Sequence, residues 1–334
     1  MDAKLFLKQN VVIDGHNDLA CDVLAKRRKG RRHVIAEDYL PGWRAGGVTC
    51  VVSSLFCDEG ADYMREALMQ INALEEEFAE SGGEFFLAVS GADVRRAHET
   101  GKVAVMLSFE GVEPLEGDPG LLRLFYRLGV RFAGMCWSRG NWAADGSRFN
   151  DAGYRGYGLT GGGFRLLELA GELGVIIDVS HMNELGFWQV IKSAQLPVTA
   201  SHSDCRAVSD ITRNLSDRQI AAIAAGGGVI GINGINLIAK TDDPASAGIG
   251  DLVRHMLHIK EVAGVACMAI GLDQCDRLKI AASGLPKDPS FDIIPSHSML
   301  PEFAGALFGA GFTEEEAQGI FGGNLLRLIE SAIG

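Results

Sequence analysis

Apolar, β-branched runs recur along this chain, and five of them end on a residue that can bind a metal or move a proton. Val11-Val12-Ile13 leads into Asp14-Gly15-His16-Asn17-Asp18, and the run from Val103 to Phe109 leads into Glu110. Val175 to Ser180 ends at His181, Pro197 to Ser201 ends at His202, and Met268 to Leu272 ends at Asp273. One such residue alone is usually a helix cap or a hydrogen-bonded structural group. Five strand ends that all carry one describe a single rim, because a parallel barrel gathers its catalytic groups at the C-terminal ends of its strands.

Eight strand candidates are visible, near 11–15, 48–55, 103–109, 130–136, 174–180, 197–201, 227–233 and 267–272. Their Val, Ile and Ala content fits strands buried on both faces. Helical patterns separate them: Tyr63 to Ala79, with Leu68, Ile71, Leu74 and Phe78 apolar, then Phe164 to Leu173 and Asp217 to Ala225. The alternation predicts an α/β protein, a (β/α)₈ TIM barrel of the metal-dependent hydrolase type, in preference to a doubly wound sheet. The expected organisation is one domain over residues 1–334, closed by a C-terminal helix. Thr313 and Glu316 have the spacing of a capping box for that helix, and Ala317 to Ile333 supplies its apolar stripe.

With a net charge of −12, the chain has no nucleic-acid footprint. The one basic cluster, Lys26 to Arg32, reads as a solvated loop. Seven cysteines at irregular spacing, with no CxxC pair, argue against a disulfide framework and for a reducing compartment. Met1 to Asn10 is too short and polar for a signal peptide, and no apolar run reaches membrane-spanning length. A soluble cytoplasmic protein, without membrane partner or lipid anchor, is the expectation. Gly161-Gly162-Gly163 lacks the following Lys-Ser/Thr of a phosphate loop.

The rim residues suit a dinuclear metal site. His16 and Asp18 are two apart, so on an extended strand both point to one side and can reach one ion. His181 and His202 could hold a second, and Glu110, between the two groups, could bridge them. Zn²⁺ accepts imidazole and carboxylate together; other divalent metals, Mn²⁺, Fe²⁺ or Co²⁺, use similar ligands. Two cations about 3.5–4 Å apart would hold a hydroxide between them and polarise a carbonyl. Asp273 is placed to take the proton and pass it to a leaving amine. Arg213 could fork onto a substrate carboxylate, or pair with Asp210 or Asp217 as a cap. His33, His98, His255, His258 and His297 lack a strand-end setting, and His255 and His258 read as surface residues of a helix.

Several stretches resemble the renal (membrane) dipeptidases, the M19 metallopeptidases. They are Asp14-Gly15-His16-Asn17-Asp18-Leu19, Ser108-Phe109-Glu110-Gly111, Ile177-Asp178-Val179-Ser180-His181, Ser201-His202-Ser203 with Arg206-Ala207-Val208, Arg213-Asn214-Leu215 and Gly323-Asn324-Leu325-Leu326-Arg327. They fall in order from about residue 11 to 330. The resemblance implies an amidohydrolase-like barrel with two zinc ions that cleaves dipeptides, often with a D-residue on the carboxyl side. It also implies His16 and Asp18 on one zinc, His181 and His202 on the other, Glu110 bridging, Asp273 handling the proton and Arg213 holding the substrate carboxylate. The chain departs from the family in its pocket. Trp137, in Met135-Cys136-Trp137-Ser138-Arg139-Gly140-Asn141, stands where a substrate-contacting His is usual. An aromatic expected near Asn233 is replaced by Gly234-Ile235-Asn236, and the last strand ends in Asp273-Gln274-Cys275-Asp276-Arg277. Trp137, Asn141 and Ile235 are therefore the expected substrate-contacting residues beside Arg213.

A metal-dependent dipeptidase acting on small dipeptides is the leading expectation. The alternative keeps the metals and changes the substrate to another small amide, an N-acyl amino acid, or a cyclic amide or lactone. A binding protein with a vestigial site is a third reading, against which the complete ligand set argues. Oligomeric state is not legible in the sequence, although many barrel enzymes are homodimers.

Overall fold

The computed structural model describes residues 2–148, 153, 156–277 and 289–333. Its strands are β1 (Ile13–Asn17), β2 (Cys50–Leu55), β3 (Phe85–Leu87), β4 (Val103–Glu110), β5 (Val130–Gly134), β6 (Ile176–Asp178), β7 (Thr199–Ala200), β8 (Val229–Ile232) and β9 (Met268–Ile270). All pairings between them are parallel, and β1, β2, β4, β5, β6, β7, β8 and β9 follow one another around a closed ring. The barrel closes where Asp14 of β1 meets Ile270 of β9.

Each of the eight expected strands is one of the ring. The short strand β3 was not anticipated from the sequence. It pairs with Val103–Val105 at the start of β4, whereas β5 pairs with β4 only from Leu107 onward. The two share one side of a long strand at different heights. A three-residue strand leaves too little periodicity to separate it from a loop.

Period-two alternation decides which side chains enter the barrel. Along β4, Val103, Val105 and Leu107 pack outward among the helices, while Ala104 and Met106 pack inward with Ile13, Cys50, Val52, Phe132 and Ala269. Continuing that phase brings Ser108 and then Glu110 to the interior. Leu325 and Leu328 of the terminal helix Asn324–Ile333 join the same inner cluster. Leu325 comes close to Gly15, where an added Cβ would meet its Cδ2 at 3.2 Å. Aliphatic side chains thus fill the bottom of the barrel, and polar residues are left at the top. Gly231 and Gly271 must lack a side chain, since a Cβ on either would collide with the Ser201 carbonyl oxygen.

Helices fall near their expected positions, at Tyr63–Glu80, Gly161–Leu173 and Asp217–Ala225. The expected capping box at Thr313 and Glu316 is present. The terminal apolar stripe is not one continuous α-helix, because a wider turn, Gly319–Gly323, interrupts it. No described helix is long and apolar enough to cross a membrane.

The basic cluster is not a solvated loop. Lys26, Arg27 and Arg28 end the helix Leu19–Arg28. Lys26 pairs with Asp22 and Asp38, Arg27 with Glu76, Glu77 and Glu80, Arg28 with Glu66, and Arg31 with Glu37 and Asp38. The acidic face of Tyr63–Glu80 neutralises much of the cluster, which the linear sequence does not show. All seven cysteines are free thiols; five are buried, and Cys21 and Cys275 are partly so.

Candidate active site

The strand ends bring His16, Asp18, Glu110, His181, His202 and Asp273 to one place. Glu110, at the end of β4, is the centre of the group. Its Oε2 lies 3.5 Å from His16 Nε2, and its Oε1 lies 3.0 Å from His181 Nε2 and 3.6 Å from His202 Nε2. The His16 and His202 rings stack with centroids 3.7 Å apart. His181 and His202 approach with their Nε2 atoms 2.9 Å from each other.

His16 and Asp18 reach this cluster by a different route from the one the sequence implied. They do not sit two apart on a regular strand. The β1–β2 register shifts between Asp14 and Asn17, so a bulge re-aims His16. Asp18 has already left the strand and starts the helix Leu19–Arg28. Its carboxylate accepts a 2.6 Å hydrogen bond from Ser54 Oγ on the inward face of β2. His181 and Asp273 have φ angles of 66° and 55°. Non-glycine residues rarely adopt that left-handed region, and such strain concentrates at functional sites.

Two groups of donors share Glu110: His16 with Asp18, and His181 with His202, each set having its ligand atoms within 4.8 Å of one another. A third such group combines His16 and His202 with Asp178. The Asp178 carboxylate is already occupied by hydrogen bonds from the Ser180 and Ser201 amides and the Ser201 hydroxyl. It therefore supports the cluster from behind. Asp178, Ser138, Ser201 and Asn233 were named in the sequence only as neighbours of the expected residues, with no role of their own. Only the position of Asp178, three residues before His181 in one run, hinted at the first.

The electrostatics fit a cation. Burial disfavours a charge on His16, but Glu110, Asp273 and Asp18 together outweigh it and raise its pKa to about 10. Burial likewise opposes ionisation of Glu110, yet the His16 charge and the imidazoles of His181 and His202 facing it hold it well below the usual carboxylate range. Burial and the Arg213 charge lower His181 to about 4, and burial with the His16 and Arg213 charges lowers His202 well below the ordinary range. Neutral imidazoles offer lone pairs, as metal ligation requires. Burial and Glu110 raise Asp18 to about 6. Burial raises Asp273 to about 8, opposed by His16 and helped by Asp18 and Glu110. His16 Nε2 is buried without a hydrogen-bond partner. Two neutral imidazole nitrogens 2.9 Å apart, an unpartnered third and two carboxylates form a donor set that divalent cations complete.

Asp273 sits at the mouth, its Oδ2 accepting a 2.9 Å hydrogen bond from Asn233 Nδ2. Arg213 is buried, with Nη1 donating to Ser203 Oγ at 2.9 Å and Nη2 to the His202 carbonyl at 2.8 Å. Among the described residues no carboxylate oxygen stands within 4 Å of it, so it neither caps nor pairs with Asp210 or Asp217. The Trp137 ring lies 5.7 Å from His181 and 5.4 Å from Phe56, with the Arg139 guanidinium 5.2 Å over its face.

The other expected pocket residues have local duties. The Asn141 amide donates to Met135 O and Glu113 and accepts from Ala143 and Ala144, which ties up its own loop. Ile235 is buried with Ile211 and Ile238 in a small cluster of its own. His255 is not a surface residue: it is buried, its Nδ1 accepting from the Cys205 amide and its Nε2 donating to Ala239 O. His297 is also buried, 2.8 Å from Asp14 Oδ2. His258 is partly exposed and pairs with Asp217.

A family model described as membrane dipeptidase (peptidase family M19) matches residues 1–333. A crystal structure of a metallopeptidase from Rhodobacter sphaeroides, liganded with a phosphinate mimic of the dipeptide L-Ala-D-Ala, superposes with a TM-score of 0.85 at 26% identity, over 97% of this chain and 99% of that one. Dipeptidase ataJ of Aspergillus terreus is 26% identical over 96% of this chain and 84% of its own length. An uncharacterized protein encoded in the pqqA 5′ region of Klebsiella pneumoniae is 34% identical over 61% of this chain and 77% of its own length.

Proposed function

The chain belongs to the membrane dipeptidase family, peptidase family M19, and from that premise we propose that it hydrolyses small dipeptides, including those with a D-residue on the carboxyl side, at a site holding two zinc ions. The observation that carries this reading is the convergence of three imidazole Nε2 atoms on the buried carboxylate of Glu110. His16 and Asp18 would hold one ion, His181 and His202 the other, with Glu110 between them. Such ions supply a nucleophile from water at neutral pH and polarise the scissile carbonyl.

The chain's own residues do the rest. Asp273, held by Asn233 beside the ligand cluster, can take up a proton and deliver it to the leaving amine. Among the described residues Arg213 has no carboxylate within 4 Å, so a substrate carboxylate would complete its fork. Trp137 walls the site beside His181. Its indole can donate a hydrogen bond but cannot exchange a proton as a histidine would. That difference favours a second reading on the same metals, in which N-acyl amino acids or other small amides replace dipeptides.

The experiment is amine release from a panel of L,L- and L,D-dipeptides and N-acyl amino acids by zinc-loaded protein, with Glu110→Gln as control. Dipeptide turnover abolished in the variant supports the first reading. Turnover confined to N-acyl substrates replaces it with the second. No turnover of any of them by protein holding two ions refutes both.

A further inference from the structure

Behind the metal ligands lies a serine whose hydroxyl touches imidazoles of both donor groups. Ser201 Oγ is 2.7 Å from His202 Nδ1, 3.4 Å from His16 Nδ1 and 2.5 Å from Asp178 Oδ2. A hydroxyl has one proton to give and two lone pairs to share. An ionised Asp178 can only accept, so the Ser201 proton goes to Asp178. The two lone pairs are then left for His202 Nδ1–H and His16 Nδ1–H. When neutral, as metal ligation requires, each ring is thereby held in the tautomer that carries its proton on Nδ1 and turns an Nε2 lone pair toward Glu110. All four residues are buried. Ser180 Oγ, 3.5 Å from Ser201 Oγ, accepts from the His202 amide at 3.3 Å and meets no imidazole nitrogen. His181 has a separate partner, Ser138 Oγ at 2.8 Å from its Nδ1.

The geometry points to Asp178 and Ser201 as positioning residues that set the tautomer and orientation of one ligand from each donor group, so that the two metal positions are coupled through one hydroxyl. This rests on the dinuclear reading of the site given above. Asp178→Asn is the informative variant. The asparagine keeps the shape and still accepts from the two amides through its oxygen. Facing Ser201 Oγ, its Nδ2 donates instead of accepting. The serine hydroxyl then turns to donate to one imidazole Nδ1, and that ring must carry its own proton on Nε2, where it cannot bind a cation. Reversing the polarity of an orienting carboxylate disables an imidazole without moving it.

The test measures Zn²⁺ and Co²⁺ affinity and stoichiometry by competition with a chelator, without any activity assay. Melting of the metal-free proteins checks that each variant is folded. Ser201→Ala is expected to weaken both ions by roughly 10–100-fold, the usual effect of losing a group that orients a ligand. Ser138→Ala should weaken only the ion on the His181 side. Asp178→Asn should weaken the ion on the imidazole it reverses at least as much as Ser201→Ala does, although it leaves the side chain's size and shape unchanged. Wild-type affinity in Asp178→Asn, or loss of a single ion in Ser201→Ala, overturns the coupling. Wild-type protein that binds no ion overturns it as well. Wild-type protein that binds two ions and cleaves no dipeptide removes the proposed activity and leaves this inference standing.

Discussion

Arg213→Met tests the substrate-anchoring role most directly. Arg213 is 3% exposed and donates to Ser203 Oγ and the His202 carbonyl, and no carboxylate oxygen of the described residues lies within 4 Å of it. A hydrogen bond to a charged group is worth about 1.5–3 kcal/mol. At about 1.4 kcal/mol per tenfold, losing the contact to a substrate carboxylate lowers kcat/KM roughly 10–150-fold. The fold should survive, because methionine replaces a buried cation that burial already disfavours. That relief offsets the loss of two hydrogen bonds, each worth about 1 kcal/mol. The assay compares a dipeptide with its C-terminal amide, which has no carboxylate. Wild type should prefer the acid strongly, and the variant should lose that preference while its rate on the amide barely changes. If acid and amide lose activity equally, Arg213 acts by shaping the His202 carbonyl and the anchoring argument is wrong.

Glu110→Gln should lower both metal stoichiometry and turnover far more than it lowers thermal stability, since the amide fills the same volume and no cavity opens; a variant with near-normal turnover would remove Glu110 from the centre. Arg27→Met should cost about 3–5 kcal/mol in denaturant unfolding, because the buried Glu77 carboxylate keeps only the Ile35 amide as partner; a loss under 1 kcal/mol would mean that Glu77 is solvated. The Arg27 hydrogen bond pushes Glu80 down to about 2 from an ordinary value of 4.5. A depressed carboxylate stabilises the folded state above its unfolded pKa and loses that contribution as pH falls through the folded one. The stability gap between wild type and Glu80→Gln should therefore be full at pH 6 and shrink between about pH 4.5 and 2; a gap independent of pH refutes it.

The ring and its rim were legible for a physical reason. Strands buried on both faces need long β-branched runs, and in such runs a His, Asp or Glu at the end is conspicuous. The period-two alternation of β4 even carries Glu110 inward, as the outward Val105 and inward Met106 show. The same local rule misjudged His16 and Asp18. It assumed an unbroken strand, whereas a bulge and a helix start bring them to the cluster. A bulge depends on pairing with β2, some 35 residues away in sequence, so β1 alone does not encode it.

From the sequence came the parallel alternation, the number of ring strands and the set of metal-type residues, because each depends on local pattern and composition. The tertiary structure decided which groups meet. It set Glu110 between three imidazoles, gave Ser201 two rings to hold, buried His255 and His297 as structural pairs, and neutralised the Lys26–Arg32 cluster with a helix some 40 residues away. Those outcomes are long-range hydrogen bonds and charge pairs. Their partners lie tens to hundreds of residues apart, so no periodicity announces them, and only the closure of the barrel brings them within bonding distance.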